Sequence, residues 1–130
     1  LIEHKVPSVK KRIVAMKKLA DAGWKVGLRF DPIIPACNFA KIYENLFKDI
    51  ALNISKESVH SISFGMMRFP KKMFKKMIKE YPNKKIISLN FKNNNGIYSY
   101  SKEVQKKLEN IVIKKLKKYM KDVPIYNCKV

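Results

Sequence analysis

Apolar residues recur every three to four positions in four segments of the chain, and this spacing predicts four amphipathic helices. Lysine-rich positions lie opposite each apolar face, which indicates helices with one face against a core and one in solvent. Each segment begins after a residue that caps or starts helices, respectively Ser8, Asn38, Pro70 and Ser101. Gly23 is expected to end the first helix, and Tyr81-Pro82 the third.

Short apolar runs between these helices predict strands. They are Val26 to Phe30, Val59 to Met67, Lys85 to Phe91, Ile97 to Tyr100 and Pro124 to Val130. The Asn93-Asn94-Asn95-Gly96 stretch tolerates positive φ angles, so it predicts a turn that makes a hairpin of the runs on either side. Strands alternating with helices imply right-handed crossovers and a mainly parallel sheet. The sequence therefore predicts an α/β fold.

One of these strands ends in a pattern typical of a ligand site. Gly27 to Pro35 is a buried run that closes in Asp31-Pro32-Ile33 and leads directly into the second helix. In β/α barrels, catalytic and cofactor groups lie at such carboxyl ends of strands. The chain of 130 residues is long enough for one domain but too short for a complete barrel.

The formal charge of +19 has two interpretations. A basic surface gains affinity for nucleic acid by displacing counterions from phosphate. However, the charge is almost all lysine, which is the composition that an AT-rich genome favours at any protein surface. The three arginines, Arg12, Arg29 and Arg68, are therefore more informative than the lysines. Charged residues interrupt every apolar run, so no membrane span is predicted. Two cysteines and no secretory signal favour the cytoplasm.

Two arginines accompany the candidate rim. Arg29 lies two positions before Asp31 and so on the same strand face; the two side chains form either an ion pair in a barrel interior or part of a ligand pocket. Arg68 follows the next strand. Its planar guanidinium group either pairs with a DNA phosphate or a substrate carboxylate, or forms a salt bridge at the rim.

The hairpin is the best candidate for contact with nucleic acid. The segment interleaves Lys92, the Asn93 to Asn95 tip, Tyr98, Tyr100 and Lys102, and so combines positive charge, amide donors and aromatic rings. This is the mixture that holds phosphates and stacks on unpaired bases. The alternative is a structural hairpin at the sheet edge. Neither histidine, His4 or His60, has partners at metal-ligand spacing, so no metal site and no catalytic residue is predicted.

Several of these blocks together resemble the C-terminal part of spore photoproduct lyases and related radical S-adenosylmethionine proteins. The matching blocks are Pro7-Ser8 with Arg12-Ile13 and Ala15, Ala22-Gly23-Trp24 with Gly27, Pro32-Ile33, Ile62-Ser63-Phe64 with Arg68-Phe69, and Asn95-Gly96-Ile97-Tyr98-Ser99-Tyr100. The likeness is spread over nearly the whole chain in moderately specific pieces.

The resemblance implies a fold and an activity. Residues 1–130 would be the C-terminal portion of a partial TIM-type (β/α) barrel, with residues 84–130 as a hairpin, helix and strand extension. The parent enzyme would be a radical carbon–carbon lyase that repairs pyrimidine dimers in DNA with S-adenosylmethionine and a 4Fe-4S cluster. Asp31, Pro32 and Ile33 would border the cofactor, and the hairpin with Arg68 would contact DNA. The alternative is a non-catalytic basic α/β module that binds nucleic acid.

One feature departs from the family pattern. Radical S-adenosylmethionine enzymes hold their cluster with a Cys-x3-Cys-x2-Cys loop, whereas this chain has only Cys37 and Cys128. The chain also begins at Leu1, within what reads as the end of a strand. We therefore expect a fragment that is inactive by itself and completed by an N-terminal half of the same protein.

Overall fold

The computed structural model describes residues 5–83 and 89–129 as a mixed α/β fold. Four helices, a short 3-10 turn and six strands follow one another in these ranges. In chain order they are α1 (Val9–Asp21), β1 (Val26–Ile33), α2 (Phe39–Asn53), the 3-10 turn (Lys56–Ser58), β2 (Val59–Met66), β3 (Arg68–Pro70), α3 (Lys71–Glu80), β4 (Lys92–Asn94), β5 (Ile97–Ser99), α4 (Lys102–Tyr119) and β6 (Ile125–Asn127).

A parallel sheet of order β1-β2-β6 forms the centre of the fold. Its register places Leu28 of β1, Ile62 of β2 and Ile125 of β6 side by side. Ile62 and Phe64 in the middle strand have no exposed surface, as expected for a parallel strand covered on both faces. The parallel sheet inferred from alternating helices and strands is therefore present.

A second, antiparallel sheet of order β3-β5-β4 carries the hairpin. Its first hairpin strand is Lys92–Asn94, not the predicted Lys85 to Phe91. Of that predicted strand, residues 85–88 lie outside the described ranges, and Leu89 and Phe91 lie outside any strand and pack against the core instead. Apolar content extended the predicted strand over Leu89 and Phe91, because a short apolar run is also typical of a loop that covers a core.

The helix ends agree with the sequence except at α2. The Ser8 and Ser101 hydroxyls accept hydrogen bonds from Lys11 N and Val104 N as N-caps. Asn38, in contrast, precedes α2 in a left-handed conformation, with a φ of 59°, and its side chain makes no capping hydrogen bond. Asparagine is used there for its tolerance of positive φ rather than as a cap acceptor.

Glu44 connects α2 to α4. Its carboxylate accepts hydrogen bonds from Lys115, from Lys118 Nζ at 2.7 Å and from the Tyr119 hydroxyl at 2.9 Å. These donors, Lys115 first, lower the pKa of Glu44 from its usual 4.5 to about 2. The cluster therefore favours the ionised carboxylate in the folded state.

We expect Glu44→Gln to weaken the acid sensitivity of the fold. A depressed pKa in the folded state gives stability that is present above the unfolded pKa of 4.5 and is lost as pH falls toward about 2. Urea midpoints measured across this range should therefore fall less steeply for the variant than for the parent. Glu80→Gln is the control, because the ion pair of Glu80 within residues 5–83 and 89–129 is with the exposed Lys76, at 3.7 Å. Equal slopes for both variants would contradict the assignment.

Candidate ligand rim and nucleic-acid interface

The carboxyl ends of β1 and β2 bring Asp31 and Arg68 together. Arg68 Nη2 lies 3.3 Å from Asp31 Oδ2, and Arg68 Nη1 lies 3.4 Å from Oδ1, so the contact is bidentate. The Asp31 side chain is only 13% exposed, and that of Arg68 30%. Sequence reasoning placed both residues at the rim but did not pair them; the parallel register of the two strands does so.

Gly65 lies directly against this ion pair. A Cβ atom on Gly65 would lie 2.8 Å from Arg68 Nη1, closer than Cβ atoms approach other atoms, and 3.1 Å from Asp31 Oδ2, a tight contact. A larger residue here would require the ends of these two side chains to shift. Sequence reasoning missed Gly65, although a glycine at the end of a buried strand is the signal for such a close approach.

Arg29 is the outer member of the same network. Arg29 Nη2 donates to Asp31 Oδ2 at 2.8 Å, and the Arg29 side chain remains 64% exposed. The predicted ion pair between neighbouring residues is present, but it lies at an accessible edge. One carboxylate therefore faces two guanidinium groups, which leaves the rim with a net positive charge.

Pro32 and Ile33 continue β1 to the edge of the rim, and the Asp31–Pro32 peptide bond is cis. Pro32 is exposed, whereas Ile33 is fully buried, so only the backbone of Ile33 is available for a ligand. Its carbonyl accepts a hydrogen bond from the Tyr100 hydroxyl at 3.1 Å, and Ile34 N donates to the Tyr43 hydroxyl at 3.2 Å. Burial raises the pKa of both tyrosines, so both hydroxyls stay protonated and fix this backbone.

The hairpin presents its candidate residues on two faces. Arg68 and Lys92 both pair with Ser99, one from each side, so they share a face of the antiparallel sheet. Tyr98 lies on the opposite face, where its ring stacks on Phe74 with centroids 4.1 Å apart. Asn95 lies in the turn with a φ of 49°, and Lys102 is exposed at the start of α4.

An aromatic cluster fixes the small sheet to α3. Phe74 contacts Phe69, Phe91 and Tyr98 with ring centroids between 4.1 and 6.0 Å apart, and Phe91 stacks on Tyr100 at 5.4 Å. Sequence reasoning grouped Tyr98 and Tyr100 with the exposed hairpin residues, but Tyr100 is 3% exposed and belongs to the core. The burial of these rings depends on chain segments far apart in sequence, which periodicity does not report.

Cys37 and Cys128 are free thiols in the described ranges, and His60 Nδ1 lies 3.0 Å from the hydroxyl of its neighbour Ser61. Residues 5–83 and 89–129 hold no group of three or more His, Cys, Asp or Glu side chains that would bind a metal ion. In those ranges, no helix is long and apolar enough to cross a bilayer. His4 lies outside the described ranges.

Fold and site define an α/β domain with an arginine–carboxylate rim at the ends of parallel strands and a basic hairpin beside it. The family model for spore photoproduct lyase matches residues 1–127. The chain belongs to the spore photoproduct lyase family.

Solved structures agree with this fold. A spore photoproduct lyase mutant with bound AdoMet and dinucleoside spore photoproduct shares 22% identity and a TM-score of 0.70, over 95% of this chain and 38% of that one. Spore photoproduct lyase complexed with dinucleoside spore photoproduct shares 23% identity, with the same TM-score of 0.70 and the same two coverages, 95% and 38%. The chain therefore spans 38% of the length of these structures. The comparison with curated proteins gave no match.

Proposed function

We propose that this chain forms the C-terminal part of a radical S-adenosylmethionine lyase that repairs pyrimidine-dimer lesions in DNA. The observation that carries the proposal is the match of the spore photoproduct lyase family model to residues 1–127. Coverage of 38% of the solved lyases supports the view that the remaining part of the enzyme precedes these residues. The sequence alternative of a non-catalytic module has no specific observation in its favour.

The proposal assigns this chain one wall of a partial barrel. Within the described residues, β1 pairs on one side only, with β2, so its other edge is available to a strand of the N-terminal part. An edge strand of a parallel sheet is normally covered or paired. Asp31, Pro32 and Ile33 would then border S-adenosylmethionine at the carboxyl rim, with Ile33 contributing its backbone.

The residues present do not fit the iron–sulfur cluster. Such clusters need a set of cysteine thiolates, and in the described ranges Cys37 lies exposed after β1, while Cys128 lies at the end of β6. Radical generation therefore falls to the part of the protein outside this chain. The role of these residues is to bind and orient the cofactor and the DNA.

The hairpin face is proposed to meet the DNA. Lys92, Asn95 and Lys102 are exposed and supply charge and amide donors, and Arg68 shares the face of Lys92. Tyr98 contributes by holding the hairpin on α3, because its ring is stacked on Phe74.

Anaerobic reconstitution of the full-length gene product tests this function. We expect it to cleave S-adenosylmethionine and to convert dinucleoside spore photoproduct to its parent pyrimidines. Two results would overturn the proposal: a coding region that lacks a three-cysteine cluster motif upstream of these residues, or a reconstituted protein that cleaves the cofactor but leaves the dimer unchanged.

A further inference from the structure

The residues of α3 divide into a lysine face and an apolar face. At 3.6 residues per turn, the five lysines of this helix fall within an arc of about 140°, and the apolar residues occupy the opposite arc. The lysines are Lys71, Lys72, Lys75, Lys76 and Lys79. In the apolar arc Phe74 is buried and Met77 is half-buried.

The charge of this face is poorly compensated inside the protein. Glu80 is the single acidic residue of α3, and it lies 3.7 Å from Lys76. Among the described residues, the other four lysines form no ion pair with a carboxylate. Lysines at i,i+4 spacing repel one another, and those in the first turn oppose the helix dipole. Some lysines elsewhere do meet acids, as Lys17 meets Asp21 and Lys118 meets Glu44.

The lysine face lies next to the hairpin. Lys71 N donates a hydrogen bond to Gly96 O in the hairpin turn at 2.8 Å, and Phe74 stacks on Tyr98 of β5. The helix therefore has a fixed position beside the turn that carries Asn95. Its lysines extend over about 12 Å of helix axis, a length of duplex that presents about seven phosphates.

We propose that the lysine face of α3 binds the phosphate backbone of duplex DNA beside the segment held by the hairpin. This inference rests on the proposed function and adds a second contact, one that does not touch the lesion. An anionic membrane is the competing partner for a basic amphipathic helix. The protein favours DNA, because Phe74, which a membrane-bound helix would need for acyl chains, is instead packed against Phe69, Phe91 and Tyr98. Met73 and Ile78 remain exposed at the edges of the apolar arc.

The test compares two triple variants of the full-length gene product. Lys72→Gln, Lys75→Gln and Lys79→Gln together remove the middle of the face and leave Lys76 with Glu80. Lys114→Gln, Lys117→Gln and Lys121→Gln together remove the same charge near the end of α4, beside the start of β6 and away from the rim. Binding of a lesion-free duplex is measured between about 50 and 200 mM salt, the range over which phosphate contacts weaken most visibly.

We expect the α3 variant to bind at least about tenfold more weakly at low salt, with a salt slope smaller by about 2 to 3, since each lost phosphate contact removes about 0.9. The α4 variant should change much less. Equal losses in both variants would show a response to net charge and overturn the inference. The inference would also be overturned if the α3 variant lost binding to anionic phosphatidylserine vesicles while its binding to duplex DNA stayed unchanged. Thermal unfolding controls for folding, because removal of repelling lysines should leave the midpoint unchanged or higher.

The substrate separates this inference from the proposed function. Dinucleoside spore photoproduct has no flanking backbone, so the α3 variant should repair it at the parental rate while losing activity on a lesion in duplex DNA. Equal loss on both substrates would overturn the inference and leave the function standing. An enzyme that repairs neither substrate, with the α3 salt slope still reduced, would overturn the function and leave the DNA contact standing.

Discussion

Replacing Phe74 by alanine is expected to detach α3 and the hairpin from the rest of the protein without unfolding the parallel sheet. Phe74 is the one residue of α3 that is buried among the described residues, and it contacts three aromatic rings. Truncating a buried phenylalanine costs about 3–5 kcal/mol. The strands that lose this contact, β3, β4 and β5, have three residues each. They are too short to persist without the packing of the Phe74 ring.

Hydrogen exchange measures this effect by region. Amide protection in α3, β3 and β5 should fall by two or more orders of magnitude, since about 1.4 kcal/mol corresponds to a factor of ten, while amides of β2 remain protected. Phe64→Ala is the contrasting variant: Phe64 is completely buried in the central strand, so its loss should lower protection everywhere. Uniform loss in the Phe74 variant would show that the two sheets unfold as one unit.

Local sequence patterns predicted the helices and the parallel sheet well. Each helix carries its own periodicity, and Ser8, Gly23 and Ser101 carry signals that act within four residues. At Leu89 and Phe91, the described end of the strand predicted for Lys85 to Phe91, the prediction had no such support, because neither turn chemistry nor alternation separates a short apolar loop from a strand. Asn38 shows a similar limit, since asparagine serves both as a cap and at positive φ.

The sequence predicted which residues lie at the candidate site, but not which of their side chains contact one another. Asp31-Pro32 and Arg68 were recognisable because polar groups at the ends of buried strands lie at one edge of a sheet. Their ion pair depends on the register of β1 against β2 and lies directly against Gly65, and local periodicity encodes neither relation. Tyr100 was misjudged for the same reason, because its hydroxyl reaches the Ile33 carbonyl from 67 residues away.

The ion pair of Asp31 with Arg68 predicts opposite changes in stability and DNA binding for Asp31→Asn. The amide cannot balance two guanidinium groups, so the free energy of unfolding should fall by about 1–3 kcal/mol, the usual range for losing charged hydrogen bonds at a partly buried site. At the same time Arg68 is released from its carboxylate and gains freedom to pair with phosphate. Affinity for lesion-free duplex should therefore rise while stability falls.

A matched control separates release of Arg68 from the added charge. Asp21→Asn changes the net charge equally, and among the described residues it removes an exposed pair with Lys17. It should therefore leave stability within about 0.5 kcal/mol and raise affinity less. The double variant Asp31→Asn with Arg68→Met should lose the gain in affinity, because the released arginine is gone. If affinity rises as much with Asp21→Asn, or persists without Arg68, the arginine takes no part in DNA binding and its role is to close the rim. The difference between the affinity gains of these variants thus decides between the two interpretations of Arg68 that the sequence left open.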